Sequence, residues 1–328
     1  MSYHIVSIDE AQVSLSCKDG QLTCRVDGED KPRTVPLEDV ASIIITSFSA
    51  SLHSKLLIEA AKHGIALILC ESFQPVSILL PANRSTDTLL TRAQLDITGR
   101  EKDTLWRRTV NAKVKNQLLL AEHLAPDDPK LDDLRTVAGM SHEHKEAMAA
   151  RLHWGIFGRA LGMANFTRDQ TQGGVNALLN YGYAVLLSTV LQKLFGVGLD
   201  PTFGIFHATR EKATPLAYDL MEPFRPCVDW RVAQWMRKHT REAQAASVTS
   251  PAPPGPGHPS HPDGPGVDKA FRAWVTAFPL EKVDYLNMTL EIRGVIEGVT
   301  RSFRRAVLEH KPTIYRPWTP NSIKWAGC

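Results

Sequence analysis

The segment YAVLLSTVLQKLFGVGL, Tyr183 to Leu199, is the most apolar long run of the chain, and its reading decides the fold. Gln192 and Lys193 interrupt it, and it is too short to cross a bilayer comfortably, a task that takes about 20 apolar residues. It is read as a buried helix. The same spacing, with apolar residues near every third or fourth position, extends over Leu89 to Leu124, Ala147 to Leu161, Val175 to Leu199, Phe224 to His239 and Val283 to Leu308. A helical bundle is therefore expected from about residue 86 to residue 328.

Upstream of Pro81 the period changes. YHIVSID reads as a strand, and VSLSC and LTCRV flank Asp19-Gly20, a dipeptide that favours a tight hairpin turn. Val13, Leu15 and Cys17 alternate with polar residues, as do Leu22, Cys24 and Val26, so one face of that hairpin is buried. ASIIITS leads into the helix SLHSKLLIEAAKH, which stops at Gly64, where a left-handed cap carries little strain. IALILC and PVSILLP complete the unit. The fold class expected is α+β: a small β-rich domain over residues 1–85, then a larger all-α domain over 86–328. The latter is interrupted by a disordered loop at 250–266, because residues 251–266 hold seven prolines and four glycines and cannot bury enough apolar surface to offset their ordering entropy.

With 328 residues, 43% hydrophobic and 22% charged, the chain has the composition of a globular protein and excludes disorder throughout. Lys and Arg (38) exceed Asp and Glu (35) by three, so net charge alone calls for no polyanion. Distribution says more. Arg100 to Gln117 holds six basic and two acidic residues, and Arg293 to Lys324 seven and two, the footprint of phosphate-backbone contact or of solvated helix faces. Five cysteines form no CxxC pair and sit mostly in apolar runs, which points to reduced cysteines of a cytoplasmic protein. No signal peptide or membrane span is expected.

Ionisable side chains stand where packing would prefer apolar ones at three places. Glu146 lies on one helical face with Ala149, Ala150 and His153; His207 closes DPTFGIFH; and Asp219 and Glu222 share one side of a turn in LAYDLMEPFRP. Pro223 and Pro226 remove the donors that would satisfy the carbonyls of Asp219 and Glu222. Carboxylates with one imidazole suit Mg²⁺ or Mn²⁺. Each residue also has a plain reading: Glu146 solvated or ion-paired, His207 a core histidine, Asp219 bonding a helix end, Glu222 paired with Arg225. No P-loop, GxGxxG, GxSxG or HExxH occurs, and His258 and His261 lie in the proline-rich segment, without a scaffold to hold a metal.

The run from Val175 to Trp230 resembles the core of the CRISPR-associated spacer-acquisition integrases, the central Cas adaptation protein. Asn176, Asn180 and Tyr181-Gly182-Tyr183 are similar to that family's Asn-rich helix start, Gly204 and His207 to its Gly-x-x-His end, and DLMEPFRP to its acidic helix. KEAMAARLHWGIFG, LLIEAAKHGIALILCESFQPVSILLP and DTLWRRTVNAKVKNQ also match in order. The wording is most like the branch that accompanies single-protein, RNA-guided nucleases, and the proline-rich loop departs from the family. The resemblance implies a β-rich dimerisation domain, a helical catalytic domain and one divalent ion, Mg²⁺ or Mn²⁺, held by Glu146, His207 and Glu222 with Asp219 in support. It implies a transesterification in which the 3′-hydroxyl of a captured DNA fragment attacks a phosphodiester at a CRISPR repeat boundary. Arg107, Arg108, Lys113, Arg225, Arg301, Arg304 and Arg305 are expected to hold phosphates of double-stranded DNA. The partners implied are a second copy of the chain and a small Cas adaptation subunit. Two alternatives stand beside this: a metal-dependent nuclease on branched or single-stranded DNA that joins nothing, and a non-catalytic DNA-binding scaffold.

Overall fold

A computed structural model describes residues 4–9, 12–71, 74–79, 88–141, 144–207, 213–249 and 266–320. The expected boundary near residue 85 and nearly all of the proline-rich loop, with His258 and His261, lie outside the described residues. A strand-rich N-terminal region precedes a helical C-terminal region, as expected. The chain clusters into two compact units. One comprises Met1–Thr109, Ala184–Glu222 and Glu291–Trp318, the other Val110–Tyr183, Pro223–Leu290 and Thr319–Cys328.

The first unit begins with strands β1 (His4–Ile8), β2 (Val13–Lys18), β3 (Gln21–Val26), β4 (Arg33–Pro36), β5 (Val40–Ile45) and β6 (Ser51–Leu52). Helix α1 (Ser54–Lys62) and strands β7 (Ala66–Glu71) and β8 (Gln74–Leu79) follow. Two four-stranded sheets result, in the orders β1-β5-β7-β8 and β4-β3-β2-β6. β5 is buried along its whole length and pairs parallel with β1 and β7, the run of branched residues typical of a strand covered on both faces. In the β2–β3 hairpin, Val13, Leu15, Cys17, Leu22 and Cys24 are buried while their neighbours are not, and Asp19 and Gly20 turn the chain with φ of 51° and 74°. That pair of positive φ angles matches the right-handed twist of the strands it joins. At the end of α1, Ile65 N–H donates to the Ala60 carbonyl (2.9 Å) and Gly64 N–H to that of Ala61 (3.1 Å), with Gly64 at φ 70°. This double bond pattern satisfies carbonyls that the helix leaves open.

The helices are α2 (Thr88–Leu95), α3 (Gly99–Leu124), α4 (Leu131–Gly139), α5 (Lys145–Ala160), α6 (Val175–Gly196), α7 (Pro215–Met221), α8 (Arg225–Thr249), α9 (Lys269–Thr276) and α10 (Ile292–Leu308). α6 is buried almost throughout. No helix among the described residues is long and apolar enough to cross a membrane. Two expectations are corrected. Leu89 to Leu124 is two helices, broken at residues 96–98, where the Thr98 side chain and Glu101 cap the start of α3: Thr98 N–H donates to Glu101 Oε2 at 2.8 Å. Val283 to Leu308 is not helical from its start. Strands β9 (Lys282–Tyr285) and β10 (Met288–Glu291) form a hairpin about Leu286 and Asn287, both at positive φ, so the region is not all-α. Alternation in KVDY and MTLE was masked by the longer helical period of α10 behind it.

Cys17, Cys24, Cys70 and Cys227 are buried, as expected, and burial pushes the Cys70 thiol up to about 12. In the second unit Gly182 sits where α6 meets Val228 and Val275: a Cβ there would lie 2.4 Å from Val228 Cγ1. Overpacking of this kind costs about 1–3 kcal/mol. Gly182→Ala is expected to lower the urea midpoint by that amount of stability with an unchanged m-value.

Candidate functional site

In the first unit, α6 ends in the same double-bonded cap as α1, with Leu199 N–H donating to Leu194 O (3.0 Å) and Gly198 N–H to Phe195 O (3.0 Å). The cap sends the chain into residues 200–207. Gln94 on α2 holds that segment by accepting from the Asp200 N–H and donating to the Asp200 carbonyl, both at 3.0 Å. Asp219 on α7, fully enclosed, closes it from the other end. Its Oδ2 accepts from the N–H of Ile205 (2.7 Å) and of Phe206 (3.2 Å), and its Oδ1 from the N–H of His207 (3.1 Å) and from His207 Nδ1 (2.7 Å). Gly204 is required by the closeness of this wrap: a Cβ would come 2.6 Å from the His207 carbonyl, 2.7 Å from Pro215 Cβ and 3.1 Å from Asp219 Oδ2.

The consequence is a fixed imidazole. An N–H at Nδ1 pointing to a carboxylate leaves Nε2 as the lone-pair nitrogen, the tautomer and orientation by which histidine ligates metals. The His207 side chain retains 22% exposure. Glu222 follows α7 in a short 3-10 turn, Glu222–Phe224, and is 3% exposed.

In the second unit Glu146 occupies the first turn of α5, with its Oε1 2.6 Å from Lys113 Nζ on α3. The adjacent Lys145 turns inward, donating to Asn111 Oδ1 and the Ala138 carbonyl, both at 2.8 Å, and burial lowers its pKa. Asn116, further along α3, donates to the Pro223 carbonyl at 2.7 Å. Deeper in this unit, Asp229 accepts from the Tyr183 hydroxyl and lies 3.0 Å from His153 Nε2, while Arg168 bonds Asn176 (3.0 Å) and Asn180 (2.6 Å). Burial, then the Asp229 carboxylate, pushes the Tyr183 phenol well above its ordinary range, so it stays a neutral donor.

A model of the family described as CRISPR associated protein Cas1 matches residues 6–249. The chain belongs to the Cas1 family. The CRISPR-associated endonuclease Cas1 of Neisseria meningitidis serogroup C is 36% identical over 224 residues, covering 66% of this chain and 71% of that protein. One from Saccharolobus solfataricus is 28% identical over 224 residues, covering 65% and 69%. Among solved structures, a casposase bound to integration product aligns with a TM-score of 0.73 at 18% identity, covering all of this chain and 95% of that one. A Cas1 protein from Thermotoga maritima aligns at 0.72 and 14%, covering 99% and 100%. A chain of a Cas6-RT-Cas1–Cas2 complex aligns at 0.71 and 14%, covering 96% of this chain and 36% of that one. Those structural likenesses establish a shared fold. The family is one of CRISPR-associated proteins, and these curated relatives are endonucleases.

Of the expected site residues, the structure brings His207 and Asp219 into direct contact, and Asp219 bonds loop backbone where a helix end was considered. Among the described residues no group of three or more His, Cys, Asp or Glu stands ready to hold a metal. Sequence reasoning missed the partner of Glu146: Lys113 was expected on phosphate, yet it is buried with its ammonium on that carboxylate. Arg108 donates to the Tyr315 carbonyl at 2.8 Å, and the Arg225 guanidinium lies 4.6 Å from the centre of the Tyr183 ring, so both also serve contacts inside the fold. Arg107, Arg301 and Arg305 are exposed and Arg304 half-buried, with Arg301 on Glu297 (2.7 Å) and Arg305 on Glu309 (2.6 Å).

Asp219→Asn replaces an acceptor of four hydrogen bonds by an amide that turns an NH₂ towards backbone donors. It is expected to cost about 2–3 kcal/mol in denaturant unfolding. His207→Ala, which leaves the three backbone bonds to Asp219 but removes its imidazole donor, is expected to cost about 1–3 kcal/mol.

Proposed function

We propose that this Cas1 chain is a metal-dependent DNA integrase of CRISPR adaptation, with Glu146, His207 and Glu222 as donors to Mg²⁺ or Mn²⁺ and Asp219 as positioning residue. The observation that carries this reading is the His207–Asp219 bond at 2.7 Å, which fixes the ring at Nδ1 and leaves Nε2 as the lone-pair nitrogen. The donor set suits the group: two carboxylates and an imidazole match a hard divalent cation, with the nitrogen favouring Mn²⁺. When bound, the ion supplies Lewis-acid polarisation of the scissile phosphate.

The reaction is a transesterification. The 3′-hydroxyl oxygen of the captured fragment forms a new bond to phosphorus at the repeat boundary, the old P–O3′ bond breaks, and the proton lost by the nucleophile is balanced by one taken up by the leaving 3′-oxygen. One phosphodiester replaces another, so no nucleotide cofactor is consumed. The chain's own part is to position: Asp219 fixes His207, Lys113 holds the Glu146 carboxylate in place as a counter-charge, and exposed Arg107, Arg301 and Arg305 meet the phosphate backbone. Two fold relatives, a casposase bound to integration product and a Cas6-RT-Cas1–Cas2 complex, favour joining over cutting alone and a Cas partner subunit. Double-stranded DNA as substrate and a second copy of the chain belong to the same proposal. The endonuclease names of the curated relatives favour strand cleavage by the same site when water replaces the 3′-hydroxyl.

The test incubates the protein, with and without the small partner, in Mn²⁺ or Mg²⁺ with a labelled duplex bearing free 3′-hydroxyls and a supercoiled plasmid carrying the repeat array. Label joined to the plasmid is expected, and it should vanish with a 3′-dideoxy end and fall at least a hundredfold in Glu222→Ala. Nicked plasmid without joined label would replace the integrase by a nuclease, and DNA binding without either product would leave a scaffold. In Asp219→Asn, Mn²⁺ affinity measured by calorimetry is expected to fall about 10–100-fold, the usual effect of losing a bond that orients a ligating histidine. Arg301→Ala should weaken binding across unrelated DNA sequences and flatten the slope of log K against log salt by about one.

A further inference from the structure

Two lysines serve the start of α5 in different ways. Lys145 Nζ donates to neutral acceptors, Asn111 Oδ1 and the Ala138 carbonyl, both at 2.8 Å. Lys113 Nζ lies 2.6 Å from a charged one, Oε1 of Glu146. A cation arriving at Glu146 therefore competes with the second lysine and leaves the first alone. Exposure says from which side it comes: the Glu146 side chain is 29% exposed and that of Lys113 11%, so solvent reaches the pair at the carboxylate, with the ammonium on the protein side.

One carboxylate does not serve a divalent ion and a lysine equally. At a separation of a few ångström a dication repels an ammonium about twice as strongly as a monocation does, and partial burial weakens the screening. Lysine is also the cation best suited to changing partner, because its charge ends a flexible four-carbon stem with rotatable donors and no rigid fork. Once turned away, the ammonium needs another anion. Residues 104–121 of α3 hold four basic residues and no acidic one, so its own helix offers no replacement. A DNA phosphate does. We infer that Lys113 is a phosphate-binding residue held in reserve: it occupies Glu146 while no divalent ion is bound, yields the carboxylate to the ion, and then takes a phosphate of the DNA strand. The inference rests on the metal and DNA chemistry proposed above and adds an order of events, ion before phosphate. It also makes the two ligands reinforce each other, since the factor by which the ion strengthens DNA binding is the factor by which DNA strengthens binding of the ion.

The test reads Lys113 directly, by brief acetylation of the wild-type protein and mass spectrometry, in three states: metal-free, in Mn²⁺, and in Mn²⁺ with a duplex ending in 3′-dideoxynucleotides. Exposed Lys115, two residues on, is the internal control for the effect of the ion. Mn²⁺ is expected to raise labelling of Lys113 severalfold with Lys115 unchanged, and the duplex to return Lys113 to its metal-free level. In parallel, Lys113→Met, which keeps most of the stem and removes the charge, should bind Mn²⁺ about tenfold more tightly in calorimetry. The same variant should bind the duplex about tenfold more weakly than wild type in Mn²⁺ and equally well in chelator. Three results would each overturn the exchange and leave the metal site standing. They are Lys113 labelling unchanged by a Mn²⁺ ion whose binding Glu146→Gln abolishes, labelling that the duplex does not suppress, and weaker Mn²⁺ binding in Lys113→Met. Absence of Mn²⁺ binding by the wild-type protein would overturn the metal reading and the exchange with it.

Discussion

One buried carboxylate organises the candidate site. Asp219 is a charge that water does not reach, and such a charge is tolerated only when every lone pair is met. Three backbone N–H groups and one imidazole N–H meet it, all drawn from residues 205–207. Satisfying Asp219 and shaping the loop are therefore the same event. The loop has no regular structure of its own, yet it cannot drift without stranding a charge in the core. Gly204, Gln94 and the Gly198 cap serve this arrangement by giving the loop a close approach, a clamp and a fixed point of departure.

Glu146 and Lys113 form a second charged pair of different character. Their contact is partly shielded from solvent, so its strength exceeds that of a surface pair, and each ion holds the other in a defined rotamer. A carboxylate kept beside a cation is preformed for a stronger cation. The neighbouring Lys145, which turns inward to Asn111 and Ala138, fixes the start of the same helix. Rigid helix-borne donors of this kind give a site its precision.

Much of this was legible in the residues. Strict alternation in Val13–Cys17 and Leu22–Val26, the Asp-Gly turn and the Gly64 stop located the N-terminal strands and first helix because each rule there is local. Glu146, His207, Asp219 and Glu222 stood out because ionisable groups interrupt apolar periods. The unreadable parts depended on distance in space. Nothing in the local sequence says that Lys113 faces Glu146, thirty-three residues away, or that Asp219 reaches back to residues 205–207. Lys113 was read with the other cations of a basic stretch, whose local pattern carries no sign of its burial. The β9–β10 hairpin was hidden for another reason: its four-residue strands are too short to outweigh the helical period that follows them.

The composition of the first unit from three stretches of chain bears on how the protein comes into being. The strands and α1 can collapse as they leave the ribosome, since their pairings are close in sequence. The unit as a whole cannot: it needs Ala184–Glu222 and then Glu291–Trp318. Until α10 emerges, α2 lacks the helix it packs against. Apolar surface on these segments stays uncovered until the later stretches have been made. For the same reason, a cut at the end of the strand-rich region would yield a fragment with its own sheets, whereas a C-terminal truncation before residue 291 would strip a helix from the unit that carries His207.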